Sequence, residues 1–292
     1  MNISVLIKRY PVLTYYTLAF TISWGGDLIV FGPSGIPGTT NQIKILFPIA
    51  LMILLAGPIL AGIVSTGLVH GKTGFRELLT KLSKWRVGAH WFAVALLFTP
   101  LLVTVILLVL SIFSPEFLPD IFTTDDKASL LLTGIMVGLM GGFLEEIGWT
   151  GFAIPELRRR CGVFATGLIV GLLWGVWHFL VTFWASGDSS GALSLPLLLP
   201  PLFFYLAVLP VFRVFMVWVY DHTNSLLIAM FMHASLIAST LYVLKPQATD
   251  EALIIYYLIL SAVLGIFVAI VTVGKARKLS PQPIGLKDEG TK

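Results

Sequence analysis

Five ionisable residues of this 292-residue chain are expected at bilayer depth: Asp27, Glu145, Glu146, His178 and His233. On insertion scales a charged group at bilayer depth costs about 2.5–3.5 kcal/mol, so each is a candidate for function. Glu145 and Glu146 sit in GGFLEEIGWTGFAIPELRRR, His178 in GLLWGVWHFL and His233 in SLLIAMFMHASLIAST. Carboxylates that take a proton, beside imidazoles that bind or polarise water, form the inventory for activating water with or without a metal. Burial favours the neutral form of a carboxyl group, the condition a general base at neutral pH requires. Adjacent helical residues diverge by about 100°, so the two glutamates cannot face one point. One is expected to face the interior and the other to hold a neighbouring helix or loop. Asp27, near the outer end of its stretch, reads as structural or interfacial. Trp149, Trp174 and Trp177 read as packing or pocket lining. His70, His90 and His222 fall at helix ends, where water is available. HExxH is absent, which excludes a zincin-type protease.

The elements that carry these residues follow from composition. The chain is 57% hydrophobic and 12% charged, against about 25% charged for a soluble domain. Eight stretches, at about 11–31, 45–69, 90–113, 128–150, 163–183, 196–219, 224–244 and 252–274, reach the roughly 20 residues a bilayer crossing needs. Lipid offers the backbone no hydrogen bonds, so they must be helices. The expected architecture is all-α: one polytopic bundle of about eight transmembrane helices over 1–279, with its motif-bearing core at 125–245. Residues 280–292, with two prolines and mixed charges, read as a disordered cytoplasmic tail. The loop 70–89 can form a short interfacial helix, with Phe75, Leu78, Leu79 and Leu82 facing lipid. The first stretch follows Lys8 and Arg9 and is too long for a signal peptide, so it reads as a retained anchor. Cys161 is alone, which excludes an internal disulfide. No basic stripe interleaves with aromatics, so nucleic acid is not an expected partner.

Charge sets the orientation. With both termini cytoplasmic, that side holds sixteen of the 19 lysines and arginines, Arg213 counted among them. The other side keeps Lys44, Lys127 and Lys245, with the acidic loop of Glu116, Asp120, Asp125 and Asp126. The fourth and fifth stretches form a hairpin with its tip near Cys161. Glu145 and His178 then lie about 25 Å from that tip, at matching depth, unless Pro155 kinks the first arm. Gly134, Gly138 and Gly142 lead into the glutamates, and Gly167, Gly171 and Gly175 lead into His178. If these faces touch each other they bring carboxylate and imidazole together. The plainer alternative is that each stripe packs against some other helix.

EEIGWT at 145–150, WGVWH at 174–178 and HASLI at 233–237 resemble the EExxxR, FxxxH and HxxxN motifs of the CPBP intramembrane proteases, the CAAX prenyl endopeptidase and bacteriocin-processing family also called Abi. The resemblance covers about 125–245. It implies that Glu145 is the general base activating water, with Glu146 supporting it. His178 would orient or polarise that water. His233 would bind the water or a metal, or stabilise the oxyanion. A divalent metal such as zinc, if used, would be held by Glu145, His178 and His233; the resemblance leaves the metal and metal-free routes both open. The site would sit in a cavity opening toward the cytoplasm and the inner leaflet. The reaction would be hydrolysis of a peptide bond in a membrane-associated or prenylated peptide or protein. The expected setting is the bilayer of a prokaryotic cytoplasmic membrane, crossed several times.

Two positions depart from the pattern. Thr150 stands where the family has arginine, which removes the charge expected to compensate Glu146. Ile237 stands where the third motif has asparagine; loss of an oxyanion donor costs on the order of 10²–10³ in rate. These departures favour an alternative, a non-catalytic relative with an immunity or scaffolding role. A small transporter with a Glu–His proton relay is a third reading, and it predicts broken helices in two pseudo-symmetric halves.

Overall fold

The computed structural model describes residues 3–273. They form a helical bundle: α1 (Ile3–Arg9), α2 (Pro11–Phe31), α3 (Thr40–Leu82) and α4 (Ala89–Ser111). Then follow α5 (Lys127–Arg158), α6 (Val163–Trp184), α7 (Leu195–Thr223), α8 (Leu226–Val243) and α9 (Asp250–Val273). No strand occurs among the described residues. The proposed tail at 280–292 and the basic residues from Lys275 lie outside them.

Among the described residues, seven helices are long and apolar enough to cross a membrane, α3 to α9. The first predicted stretch does form a 21-residue helix, α2, begun by Pro11 at its first turn, where a missing N–H costs nothing. It is less apolar than the others because Tyr15, Tyr16, Ser23 and Asp27 line its buried face. That face packs along α3.

Side-chain and backbone contacts sort the connections into two ends. At one end His70 meets Glu156 at 2.8 Å, Arg158 meets Asp221 at 2.6 Å and Ser225 Oγ donates to the Lys84 carbonyl at 2.7 Å. At the other, Gly38 N–H donates to Trp184 O, Thr40 N–H to Asp188 O, Asp120 N–H to Lys245 O and Ala248 N–H to Glu116 O. The basic segments 72–86 and 158–160 share the first end, as the charge pattern requires. Arg213 does not belong with them: it is fully buried inside the bundle.

The segment 72–82 is helical but only partly the lipid-facing helix expected. Gly71 breaks α3 with φ 61° and ψ −145°, a backbone conformation glycine tolerates and other residues rarely adopt. The chain beyond it turns back onto the bundle. Leu79 stays exposed, while Leu78 and Leu82 pack on a small cluster of Ile147, Leu226 and Met230.

Three helices widen into a π-helical turn: Trp149–Ala153 in α5, Phe204–Val208 in α7 and Ala238–Val243 in α8. Such turns recur at functional sites, where they re-aim side chains. The first two precede Pro155 and Pro210, each of which lacks the N–H that would continue a regular ladder.

Candidate active site

The two glycine stripes do not meet each other; each packs against its own partner. That of α5 packs on α8: a Cβ at Gly138 would stand 2.5 Å from the carbonyl oxygen of Ala234. That of α6 packs on α7: a Cβ at Gly171 would stand 3.0 Å from Cβ of Arg213. The plainer alternative therefore holds, and it achieves more than packing. One contact brings His233 beside the two glutamates. The other brings Arg213 there.

Glu145 and Glu146 are both buried, at 3% and 0% exposure. They face different surroundings, as their angular separation requires. The Oε2 atom of Glu145 accepts two indole hydrogens, from Trp149 Nε1 at 3.1 Å and Trp174 Nε1 at 2.6 Å. Trp149 lies one turn along the same helix and Trp174 lies on α6. These tryptophans are thus more than lining, since they fix one oxygen and leave Oε1 directed elsewhere. Trp177 has a different duty. Its Nε1 donates to Ser23 Oγ at 2.9 Å, and Ser23 Oγ donates to the Leu54 carbonyl at 2.7 Å. This ties α6 to α2 and α3 one residue before His178.

Glu146 is enclosed by polar partners. Arg213 Nη1 lies 2.9 Å from Oε1 and 2.8 Å from Oε2. Thr150 Oγ1 donates to Oε2, and His233 Nδ1 lies 2.7 Å from Oε1. The guanidinium also sits over the Trp174 ring, 4.0 Å from its centre, a favourable cation–π position. The charge missing at position 150 is therefore supplied by Arg213, and the Thr150 hydroxyl is a direct partner of Glu146. The expectation that Glu146 lacks a compensating cation is corrected on both counts. The signal was present in the sequence: a lone arginine well inside an apolar stretch marks a buried partner more readily than an end charge.

A carboxylate paired with arginine accepts hydrogen bonds only. His233 Nδ1 must then carry its hydrogen toward Glu146, leaving Nε2 with a free lone pair in the neutral ring. That Nε2 stands 3.9 Å from Glu145 Oε1, a separation one water can bridge. His178 Nδ1 lies 2.9 Å from the Trp174 carbonyl, which also only accepts, so its Nε2 is likewise free. The ring is held flat against Tyr205, with centres 4.2 Å apart and planes 9° apart. Tyr205 comes from the π-helical turn of α7.

Glu145, Trp174, His178, Tyr205, His233 and Ile237 line one cavity of about 150 Å³. Ile237 thus occupies the wall where the motif has asparagine. Ser235 does not replace that amide, because its hydroxyl donates to the Leu96 carbonyl at 3.2 Å, away from the cavity. Among the described residues no three His, Cys, Asp or Glu side chains are grouped to hold a metal ion. Glu145, His178 and His233 therefore do not form a ligand set in these side-chain positions.

Asp27 lies outside this cluster. It is fully buried in the bundle, and neither carboxyl oxygen has a hydrogen-bond partner among the described residues.

Residues 127–239 match the model of the Rce1-like type II CAAX prenyl endopeptidases. The CAAX prenyl protease 2 of Methanococcus maripaludis is 34% identical over 62 residues, a stretch covering 21% of this chain and 21% of that protein. The segment that carries Glu145, Glu146, His178, Arg213 and His233 is thus similar to the Rce1-like type II CAAX prenyl endopeptidases, which supports the resemblance to the CPBP family.

Proposed function

We propose that this protein is an intramembrane endopeptidase of the CAAX type, which hydrolyses a peptide bond in a membrane-associated or prenylated peptide or protein. Its setting is a prokaryotic cell membrane. The observation that carries the reading is the pair of free atoms, Glu145 Oε1 and His233 Nε2, 3.9 Å apart on a cavity wall. Every other polar atom of those two side chains is engaged. A water held between them has one carboxylate to take its proton and one imidazole to orient it.

In this mechanism the water oxygen attacks the scissile carbonyl carbon as its proton passes to Glu145. The carbonyl becomes a tetrahedral oxyanion. The carbon–nitrogen bond then breaks, and Glu145 returns the proton to the leaving amine. Glu146, held by Arg213 and Thr150, fixes the His233 ring and stabilises it should it become protonated, the role a triad carboxylate plays toward its histidine. His178, clamped between Trp174 O and the Tyr205 ring, presents Nε2 to the same cavity and helps polarise that water. Trp149 and Trp174 hold Glu145 in one rotamer.

The decisive experiment is cleavage of a fluorogenic membrane-peptide library by the purified protein, beside Glu145→Ala and His178→Ala variants, with and without chelator. Activity lost in both variants supports the assignment, and the chelator arm decides between metal-dependent and metal-free hydrolysis. Activity equal in all three proteins would sink it. The non-catalytic reading keeps one specific observation, Ile237 on the cavity wall. It predicts folded protein that binds peptide and cuts none.

A further inference from the structure

Attack of water on a peptide carbonyl leaves a negative charge on the carbonyl oxygen, and rate depends on a donor fixed where that charge develops. The residues lining the cavity all lie within α3, α5, α6, α7 and α8, whose backbone N–H groups are spent on their own helices. Among the side chains, Trp174 Nε1 already donates to Glu145. His178 and His233 turn Nδ1 to the Trp174 carbonyl and to Glu146, so in the neutral rings Nε2 offers a lone pair and no hydrogen. Ile237 has no polar hydrogen to give. Two O–H groups remain on the cavity wall, those of Tyr205 and Tyr242.

The two tyrosines are held differently. Tyr205 sits in the π-helical turn Phe204–Val208 of α7. Gly175 lets α6 come close to that turn, since a Cβ at Gly175 would run into the Tyr205 carbonyl oxygen. The close approach lays the Tyr205 ring flat on His178, three residues after Gly175. The Thr182 side chain, one turn beyond His178, braces the Tyr205 hydroxyl, which also lies within electrostatic reach of the Glu145 carboxylate. Tyr205 is therefore fixed against α6 beside the imidazole and faces the base. Tyr242 follows His233 by nine residues on α8, about 13 Å along the axis, one residue from the end of that helix.

We propose that Tyr205 is the oxyanion donor of this protein, its phenolic O–H pointing a hydrogen bond at the carbonyl oxygen while the bond from water to carbon forms. The assignment rests on the hydrolase reading. The hydrogen stays on the phenol throughout. The electron pair that moves onto the carbonyl oxygen returns to re-form the carbonyl as the carbon–nitrogen bond breaks, and Glu145 alone carries the proton from water to the leaving amine. Tyr205 thus supplies from α7 what Ile237, on the α8 wall of the same cavity, does not.

The test measures kcat, KM, the pH–rate profile and the thermal unfolding midpoint of the purified protein beside Tyr205→Phe and Tyr242→Phe, on the library peptide that the intact protein cuts fastest. Tyr205→Phe keeps the ring on His178 and removes only the donor. Its kcat is expected to fall on the order of 10²–10³-fold, with KM, the midpoint and the shape of the pH–rate profile unchanged. Tyr242→Phe is expected to lose less. Parental kcat in Tyr205→Phe overturns the proposal and leaves the hydrolase reading standing. So does a loss confined to KM or accompanied by a lowered midpoint, which would make Tyr205 a packing residue. A displaced pH–rate profile overturns it as well, because the phenol would then be an acid or base, and so does an equal or larger loss in Tyr242→Phe. Folded intact protein that cuts no peptide sinks the hydrolase reading, and the role of Tyr205 falls with it.

Discussion

The carboxylate of Glu145 borders a cavity and keeps one oxygen free, whereas that of Glu146, the next residue, is closed in by Arg213, His233 and Thr150. The same residue type, one position apart on one helix, thus serves two ends. On the cavity side, neutral indole donors hold an oxygen without cancelling the charge of the group. On the sealed side, a full positive charge does cancel it, and the pair becomes a fixed post against which His233 is aligned. A buried ion pair contributes little net stability but costs much when one partner is removed. A cavity-facing base contributes to rate and little to stability.

The comparison breaks most visibly at Glu145. Glu145→Gln keeps shape and hydrogen-bonding capacity but removes the base; peptide hydrolysis is expected to fall on the order of 10²–10⁴-fold, with the thermal unfolding midpoint in detergent unchanged. A large fall in midpoint would assign Glu145 to the scaffold. The converse holds at Arg213. Arg213→Met leaves Glu146 buried and uncompensated, at a cost of about 3–5 kcal/mol, read as a lowered midpoint. Glu146→Leu in the same chain should recover most of that stability without recovering activity.

A subtler division separates the two indoles. Trp174→Phe keeps an aromatic ring under Arg213 but removes the shorter hydrogen bond to Glu145. Loss of a bond to a charged group costs about 1.5–3 kcal/mol, or roughly 10–100-fold in hydrolysis rate. Trp149→Phe, which removes the longer bond, should cost less; the reverse order would mean Trp149 is the main brace. The smallest effect is expected at Thr150. Thr150→Val removes one of several partners of Glu146, so about 1 kcal/mol of stability and little activity should go. A severe loss there would show that Arg213 does not substitute for the family's arginine.

The membrane architecture was legible in the sequence because it rests on the length and polarity of segments, which need no knowledge of neighbours. The same holds for Glu145, Glu146, His178 and His233: ionisable residues inside apolar stretches stand out by cost alone, and their order along the chain carried the family resemblance. What the tertiary structure decided is which groups meet. Arg213 looked like an end charge because counting charges in loops assigns no depth or azimuth; only the packing of α6 on α7 turns it toward Glu146. The glycine stripes announced close helix contacts without naming the partner, and the partner is what brings His233 and Arg213 to the glutamates. The tryptophans looked like lining because composition does not reveal where an indole N–H points.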